Sequence, residues 1–313
     1  MSSFSVIAPG ILSLLQDQGR FGQGALGLTS GGSMDTTSAA WANYLLGNPT
    51  NATLIECSVG GLQLQANCTS YIVVTGAELA LSINDSPLQL WTVHQVKSGD
   101  IIKLGMVTKG LRVYVAVAGG FNIKLQFNSS STVLRESIGG LNGNKLQAND
   151  ILPAAMVSNL PRLSLPQALR PQINSVLTLR LIEGYQVSSF TSAERQRFYS
   201  DSYTVTPQAD RMGYKLSGAA IACQQSQLLS EGICYGAVQI PPDGQPIVLL
   251  NDRQTLGGYP KIGSVLSLDC ALLAQATAGT KVYFTPISAE HAQHALHLAK
   301  IRFSALTNQL VSQ

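Results

Sequence analysis

Four short segments of this chain crowd together the residue types that hold anions and move protons. The first runs Gln16-Asp-Gln-Gly-Arg20-Phe-Gly22, passes Gly27 and ends in Ser30-Gly-Gly-Ser-Met-Asp35. Successive glycines let backbone N–H groups converge into an anion-binding nest, and Arg20 adds a fork of donors for a carboxylate or phosphate. A tight loop in which Asp17 and Arg20 pair with each other accounts for the same residues. The second segment, Gln208-Ala-Asp-Arg-Met-Gly-Tyr214, sets adjacent Asp210 and Arg211 beside a glycine and an aromatic; alone it reads as a turn with an ion pair. The third, from Ser230-Glu-Gly-Ile-Cys-Tyr-Gly to Pro246, surrounds a short apolar strand with Glu231 and Gln239, and its Pro-Asp-Gly makes a good turn in its own right. The fourth, Asn251-Asp-Arg-Gln-Thr-Leu-Gly-Gly-Tyr-Pro-Lys261, places polar side chains directly after the apolar run Ile247 to Leu250. A solvated loop explains that polarity but not Gly257-Gly258-Tyr259-Pro260.

Common cofactor signatures are missing. No G-x-x-x-x-G-K-[ST] phosphate loop occurs, and the nearest run, Gly139-Gly-Leu-Asn-Gly-Asn-Lys145, has the wrong spacing. Nor is there a G-x-S-x-G elbow, an H-E-x-x-H helix or a dinucleotide-binding glycine fingerprint. His94 stands alone in a strand-like stretch. His291, His294 and His297 are three apart, a spacing that drifts around a helix, so no metal site is expected.

The elements that must carry these segments are mostly strands. Apolar residues alternate with period two between Gly, Asn and Asp punctuation, the pattern of half-buried antiparallel strands. Leu79, Leu81 and Ile83 face one way before Asn84-Asp85 ends their run. Ile102, Leu104 and Met106 alternate again, and Leu111, Val113, Val115 and Val117 follow the turn Thr108-Lys-Gly110, which predicts a hairpin. Helices are few. Asp35 can cap Thr36 to Leu46, Thr191-x-x-Glu194 can open a short helix to about Tyr199, and Asp269 can cap Cys270 to Thr277. Ala295, Leu298, Ile301 and Leu306 give the tail helical spacing.

The proline-containing stretch 158–175 separates a first β domain, 1–157, from a second, 176–288, with the C-terminal helix at 289–313. Many short strands with few helices favour closed or nearly closed barrels, because closure removes exposed sheet edges.

The 313 residues suffice for about two domains with hydrophobic cores of their own. Charged residues make up only 12%, which points to a surface partly covered by another chain. Twenty Lys and Arg against 17 Asp and Glu, scattered without blocks, leave no basic stripe for nucleic acid and no patch for an anionic membrane. Five cysteines without C-x-x-C spacing read as reduced packing residues. The absence of a basic leader or a long apolar run makes a cytoplasmic location the expectation.

In their order and spacing the four segments resemble the D-x-G-R-x-G, D-R-M-G-Y, S-E-G and D-x-Q-T-x-G-G-Y-P motifs of one family, which contains the C component of 5-oxoprolinase, allophanate hydrolase subunit 2 and the carboxyltransferase portion of urea carboxylase. The likeness extends from about Gly10 to Ser288. It implies two cyclophilin-like β-barrel domains and ATP-driven opening of 5-oxo-L-proline to L-glutamate. The implied partners are the B component of 5-oxoprolinase, which is allophanate hydrolase subunit 1-like, and its A component, with ATP held by a partner or at an interface. Biotin enters only under the alternative, carboxyl transfer to urea or a similar amide. A non-catalytic regulator that binds a kinase-inhibitor-like B component is the remaining alternative. On this resemblance Asp210, Arg211, Glu231, Asp252 and Gln254 are the catalytic candidates. Asp17, Arg20, Ser30, Gly31, Asp35, Tyr214, Gln239, Arg253, Thr255, Gly257, Gly258 and Tyr259 are the candidates for substrate binding. One departure is Ala25, where many relatives carry histidine.

Overall fold

A computed structural model describes residues 2–224 and 228–311. The expected alternation becomes a mainly β protein that divides into two compact units. The first comprises 1–23 and 30–173, the second 24–29 and 174–313.

In the first unit the strands are shared between two sheets. One has the order Ile151–Pro153, Ser3–Pro9, Leu62–Ala66, Ile101–Leu104, Leu81–Ile83, Ser86–Leu88. The other runs Leu12–Gln16, Leu54–Ser58, Lys109–Val117, Ser70–Glu78, His94–Val96. Phe4, Leu64 and Ile102 from the first sheet and Ile55, Val74 and Val115 from the second pack into one core, so alternate residues of both sheets meet face to face. The predicted hairpin does not form. Ile101–Leu104 pairs with Leu62–Ala66 and Leu81–Ile83, whereas Lys109–Val117 pairs with Leu54–Ser58 and Ser70–Glu78. Ile102, Leu104, Val113, Val115 and Val117 share one core as period two predicts, but Met106, expected on the same face, is 52% exposed, and the chain changes sheets between the two runs instead of turning back. The true hairpin joins Leu81–Ile83 to Ser86–Leu88 through Asn84 and Asp85, both at positive φ.

The second unit is a closed barrel, in the order Val176–Glu183, Lys261–Val265, Ala237–Gln239, Ile247–Leu249, Gly213–Ser217, Tyr203–Ala209, Lys281–Pro286. Parallel pairing of the last strand with the first closes it. Leu179, Leu181, Tyr214, Val238, Val248 and Phe284 are buried, and Phe198 stacks on Phe284 with centroids 4.5 Å apart. Outside the barrel, Glu231–Gly232 pairs with Leu256–Gly257 in a two-stranded ribbon.

The helices start where caps allow. Asp35 accepts from Ser38 N at 3.0 Å ahead of Thr36–Leu45, and Thr191 accepts from Glu194 N at 3.2 Å ahead of Ser192–Ser200. Asp269 does not cap as expected. The helix begins earlier, at Ser267–Leu273, and the Asp269 carboxylate instead receives Arg180 Nε at 2.9 Å and Nη2 at 2.6 Å. The tail forms Ala289–Val311, with residues 312–313 outside those described.

Candidate functional site

Three of the four segments come together in the second unit. Arg211 and Asp252 join the second segment to the fourth through a two-pronged ion pair, with Nε to Oδ2 at 2.8 Å and Nη2 to Oδ1 at 2.9 Å. Backbone bonds from Asp252 N to Arg211 O at 2.9 Å and from Leu250 N to Met212 O at 2.9 Å run alongside. The ribbon joins the third segment to the fourth, with Glu231 opposite Gly257, and Ile233 N donates to Thr255 O at 3.0 Å. Arg253 folds inward, donating to Ile233 O at 3.1 Å and Leu250 O at 3.2 Å, with its guanidinium 5.8 Å from the centre of the Tyr235 ring. Burial pushes the Arg253 guanidinium below its ordinary value.

A cavity of about 210 Å3 opens beside this junction, lined by Tyr185, Gln186, Glu231, Cys234, Lys261 and Ser264 together with Gly184, Gly232 and Gly263. Three donors converge on the Glu231 carboxylate. Lys261 Nζ and Gln186 Nε2 both donate to Oε1, the latter at 2.8 Å, and the Tyr185 hydroxyl donates to Oε2. Lys261 first, then Tyr185, holds the Glu231 carboxyl below its ordinary value, so Glu231 is ionised at neutral pH. The same bond raises the Tyr185 hydroxyl above its ordinary value.

The barrel positions two of these donors, Lys261 and Gln186. Gln186 stands in the turn after Val176–Glu183, and its Oε1 accepts the backbone N–H of Lys261 at 2.8 Å from the adjoining strand. A Cβ at Gly263 would collide with Ile182 O and Leu181 Cδ2, so only glycine lets the two strands approach at this wall. Cys234 Sγ and Ser264 Oγ lie 2.9 Å apart on the lining. Cys234 is exposed, unlike the packing role expected of it, whereas Cys57, Cys68 and Cys270 are buried.

Asp210 is exposed and accepts Met212 N at 2.8 Å and Gly213 N at 3.1 Å, closing a turn. Tyr214 is inside the barrel. Gln239 is buried with no partner for Nε2 among the described residues, and a Cβ at Gly257 would lie 3.0 Å from that nitrogen and 3.1 Å from Gln254 Nε2. Gly258 O accepts from Leu228 N at 3.2 Å, Thr255 lends its carbonyl to Ile233, and Tyr259 is 44% exposed.

In the first unit the residues of the first segment bond one another. Asp17 accepts Ser131 Oγ at 2.6 Å, Ser129 Oγ at 2.7 Å, Gly19 N at 2.7 Å and Ser130 N at 2.8 Å. Arg20, 2% exposed, donates to Ser131 O at 2.9 Å and Gln126 O at 3.2 Å. Ser30 O accepts Arg20 N at 2.6 Å. A Cβ at Gly31, which has φ +63°, would press on Val133 and Ser131; Gly32 N donates to Gln16 Oε1 at 3.1 Å, and Asp35 caps its helix. Asp17, Arg20 and residues 31–35 are thus a buried scaffold, whereas Phe21 is exposed, and Asp17, Gln18, Phe21 and Ser33 line a second cavity of about 230 Å3. Ala25 lies on an exposed short turn, Gly24–Leu26.

Sequence reasoning missed Tyr185, Gln186, Lys261, Cys234 and Ser264. Lys261 closes the fourth segment and opens a strand otherwise apolar on its buried face, a faint signal. Tyr185 and Gln186 carry none, because they reach the site only through the pairing of two strands far apart in sequence.

Among the described residues no helix is long and apolar enough to cross a membrane. Residues 26–286 match the family described as carboxyltransferase domain, subdomain A and B. A Haemophilus influenzae protein named as the C component of 5-oxoprolinase is 35% identical over 92% of this chain and 94% of its own. Its Escherichia coli namesake is 33% identical over 93% of each. The solved Kluyveromyces lactis urea carboxylase superposes on 98% of the chain with a TM-score of 0.90 at 26% identity, although the chain spans only 29% of that protein. The resemblance carried by the four segments is thereby confirmed, and the chain belongs to the carboxyltransferase domain, subdomain A and B, family.

Proposed function

We propose that this chain is the C component of an ATP-dependent 5-oxoprolinase and works with the A and B components to open 5-oxo-L-proline to L-glutamate. The observation that carries this reading is the convergence of Lys261, Tyr185 and Gln186 on one carboxylate at a small cavity. An ammonium, a phenol and an amide N–H aimed at one point suit the single charged group of 5-oxoproline. Relatives named for that component, alike over nearly their full length, support the same choice.

An amide resists attack because its nitrogen donates into the carbonyl. Phosphoryl transfer from ATP to the amide oxygen removes that protection. Water then adds to the carbon, the C–N bond breaks to give an acyl phosphate, and a second water releases phosphate and L-glutamate. This chain has no phosphate loop in its sequence, so ATP belongs to a partner or to an interface with one. Lys261, Tyr185 and Gln186 orient the substrate through its carboxylate. Arg211 and Asp252, locked together, hold the ribbon and the loop of the fourth segment in register.

The likeness to a urea carboxylase favours a second reading, carboxyl transfer from carboxybiotin to an amide such as urea. One assay separates the two. The purified A and B components and this chain are mixed with 5-oxo-L-proline and ATP, each protein omitted in turn, and glutamate is measured. Release that requires this chain establishes the oxoprolinase role. A stable complex that releases no glutamate sinks it and directs the test to carboxybiotin with urea.

A further inference from the structure

Two of the donors in the cavity, Lys261 and Gln186, are fixed by the barrel, whereas the third, Tyr185, is 74% exposed on the turn that follows Val176–Glu183, and the carboxylate they hold lies outside the barrel. Lys261 is 9% exposed on a barrel strand, Gln186 is 8% exposed, and the two are tied by a backbone bond. Glu231 comes from the two-residue ribbon outside the barrel, and its side chain is 33% exposed. Lys261 and Gln186 share one of its oxygens and Tyr185 takes the other, so a group suited to proton abstraction is instead filled with donors.

We propose that Lys261, Tyr185 and Gln186 form a receptor for a ligand carboxylate, and that Glu231 fills it in the free chain as an internal competitor. The inference rests on the reading of the substrate as a small cyclic amide bearing a carboxylate. An incoming carboxylate meets the same three donors and displaces the Glu231 side chain toward solvent, where it is already one-third exposed. A neutral amide offers no charge to replace the one it would expel and is refused, so Glu231 sets specificity by competition. Glu231 is then a gate, not the general base that its place in the third segment suggests.

The test uses the full chain and titrates three probes into wild type, Glu231→Gln, Glu231→Ala and Lys261→Met, followed by the NMR shift of the Gln186 side-chain amide. The probes are 5-oxo-L-proline, its carboxamide, and acetate as a bare carboxylate. Both Glu231 variants should bind 5-oxo-L-proline and acetate about tenfold more tightly than wild type, the factor carried by one charge-assisted hydrogen bond. Lys261→Met should bind them more weakly by a similar factor, and the carboxamide, which no longer has a charge to expel, should gain affinity in both Glu231 variants. Circular dichroism of each variant controls for folding, and the variants of the partly exposed Glu231 carry the test should Lys261→Met fail to fold. Acetate affinity indifferent to Glu231 overturns the inference. If acetate separates the variants while 5-oxo-L-proline binds none of them, the receptor stands and the reading of the substrate fails.

Discussion

At the scale of single residues, the same side-chain types serve two opposite purposes. Asp17 and Arg20 have the composition of an anion site, yet Asp17 is saturated by two serine hydroxyls and two backbone N–H groups inside the first unit. Asp17→Asn turns an N–H toward those donors and should cost about 3 kcal/mol, read as a lower urea midpoint. Arg211 and Asp252 behave likewise, with side chains 7% and 12% exposed. Removing one partner strands the other as a buried charge. Arg211→Met should therefore cost about 3–5 kcal/mol, and adding Asp252→Leu to it should recover most of that loss. Equal destabilisation of the single and double variants would contradict the pairing. In the sequence, motif composition marked these positions as exceptional but could not say whether their charges face a ligand or each other. That depends on what lies opposite, and Ser129–Ser131 are more than 100 residues from Asp17.

At the scale of elements, the period-two pattern identified buried faces well and pairings poorly. Leu81, Ile102, Leu104, Val113, Val115 and Val117 are all in the core, as their alternation requires. Whether successive strands turn back or change sheets leaves the alternation unaltered, which is why the hairpin at Thr108 was a wrong inference from a correct pattern. Caps were more legible because they are local. Asp35 and Thr191 needed only the next few residues, whereas Asp269 was claimed by Arg180, 89 residues away. The cavity wall depends on the close approach of Val176–Glu183 and Lys261–Val265. Gly263→Ala places a methyl against Ile182 O and should cost about 1–3 kcal/mol of strain. The damage should be local. Faster hydrogen exchange at Gly184 N–H, which donates to Ile262 O at 3.1 Å, is the expected signature, with the far strands Tyr203–Ala209 and Gly213–Ser217 unchanged. A uniform increase around the barrel would show that the glycine matters for the whole fold and not for this wall.

At the scale of the molecule, the proline-containing stretch and the strand-rich pattern pointed to two β units, and the chain divides between Ile173 and Asn174. What the sequence concealed is that Gly24–Thr29 groups with the second unit, where Thr29 Oγ1 donates to Arg253 O at 3.4 Å; no periodic signal marks that excursion. Composition spoke to the surface as well. With 12% charged residues the chain has little charge to cover itself, and Leu229, Tyr185, Phe21, Met156 and Leu26 all stand well exposed. Scattered apolar residues are ordinary, but a charge-poor surface that also carries these is suited to burial against other chains. The proposed assembly therefore predicts stabilisation by mass action. A partner that binds only the folded chain adds about 2.7 kcal/mol when its free concentration is a hundred times its Kd. Titrating the B component into this chain should raise Tm progressively, with a rise that keeps growing after the site is saturated, since stability follows the logarithm of free partner. A Tm independent of both the B and the A components would remove the assembly on which the oxoprolinase reading depends.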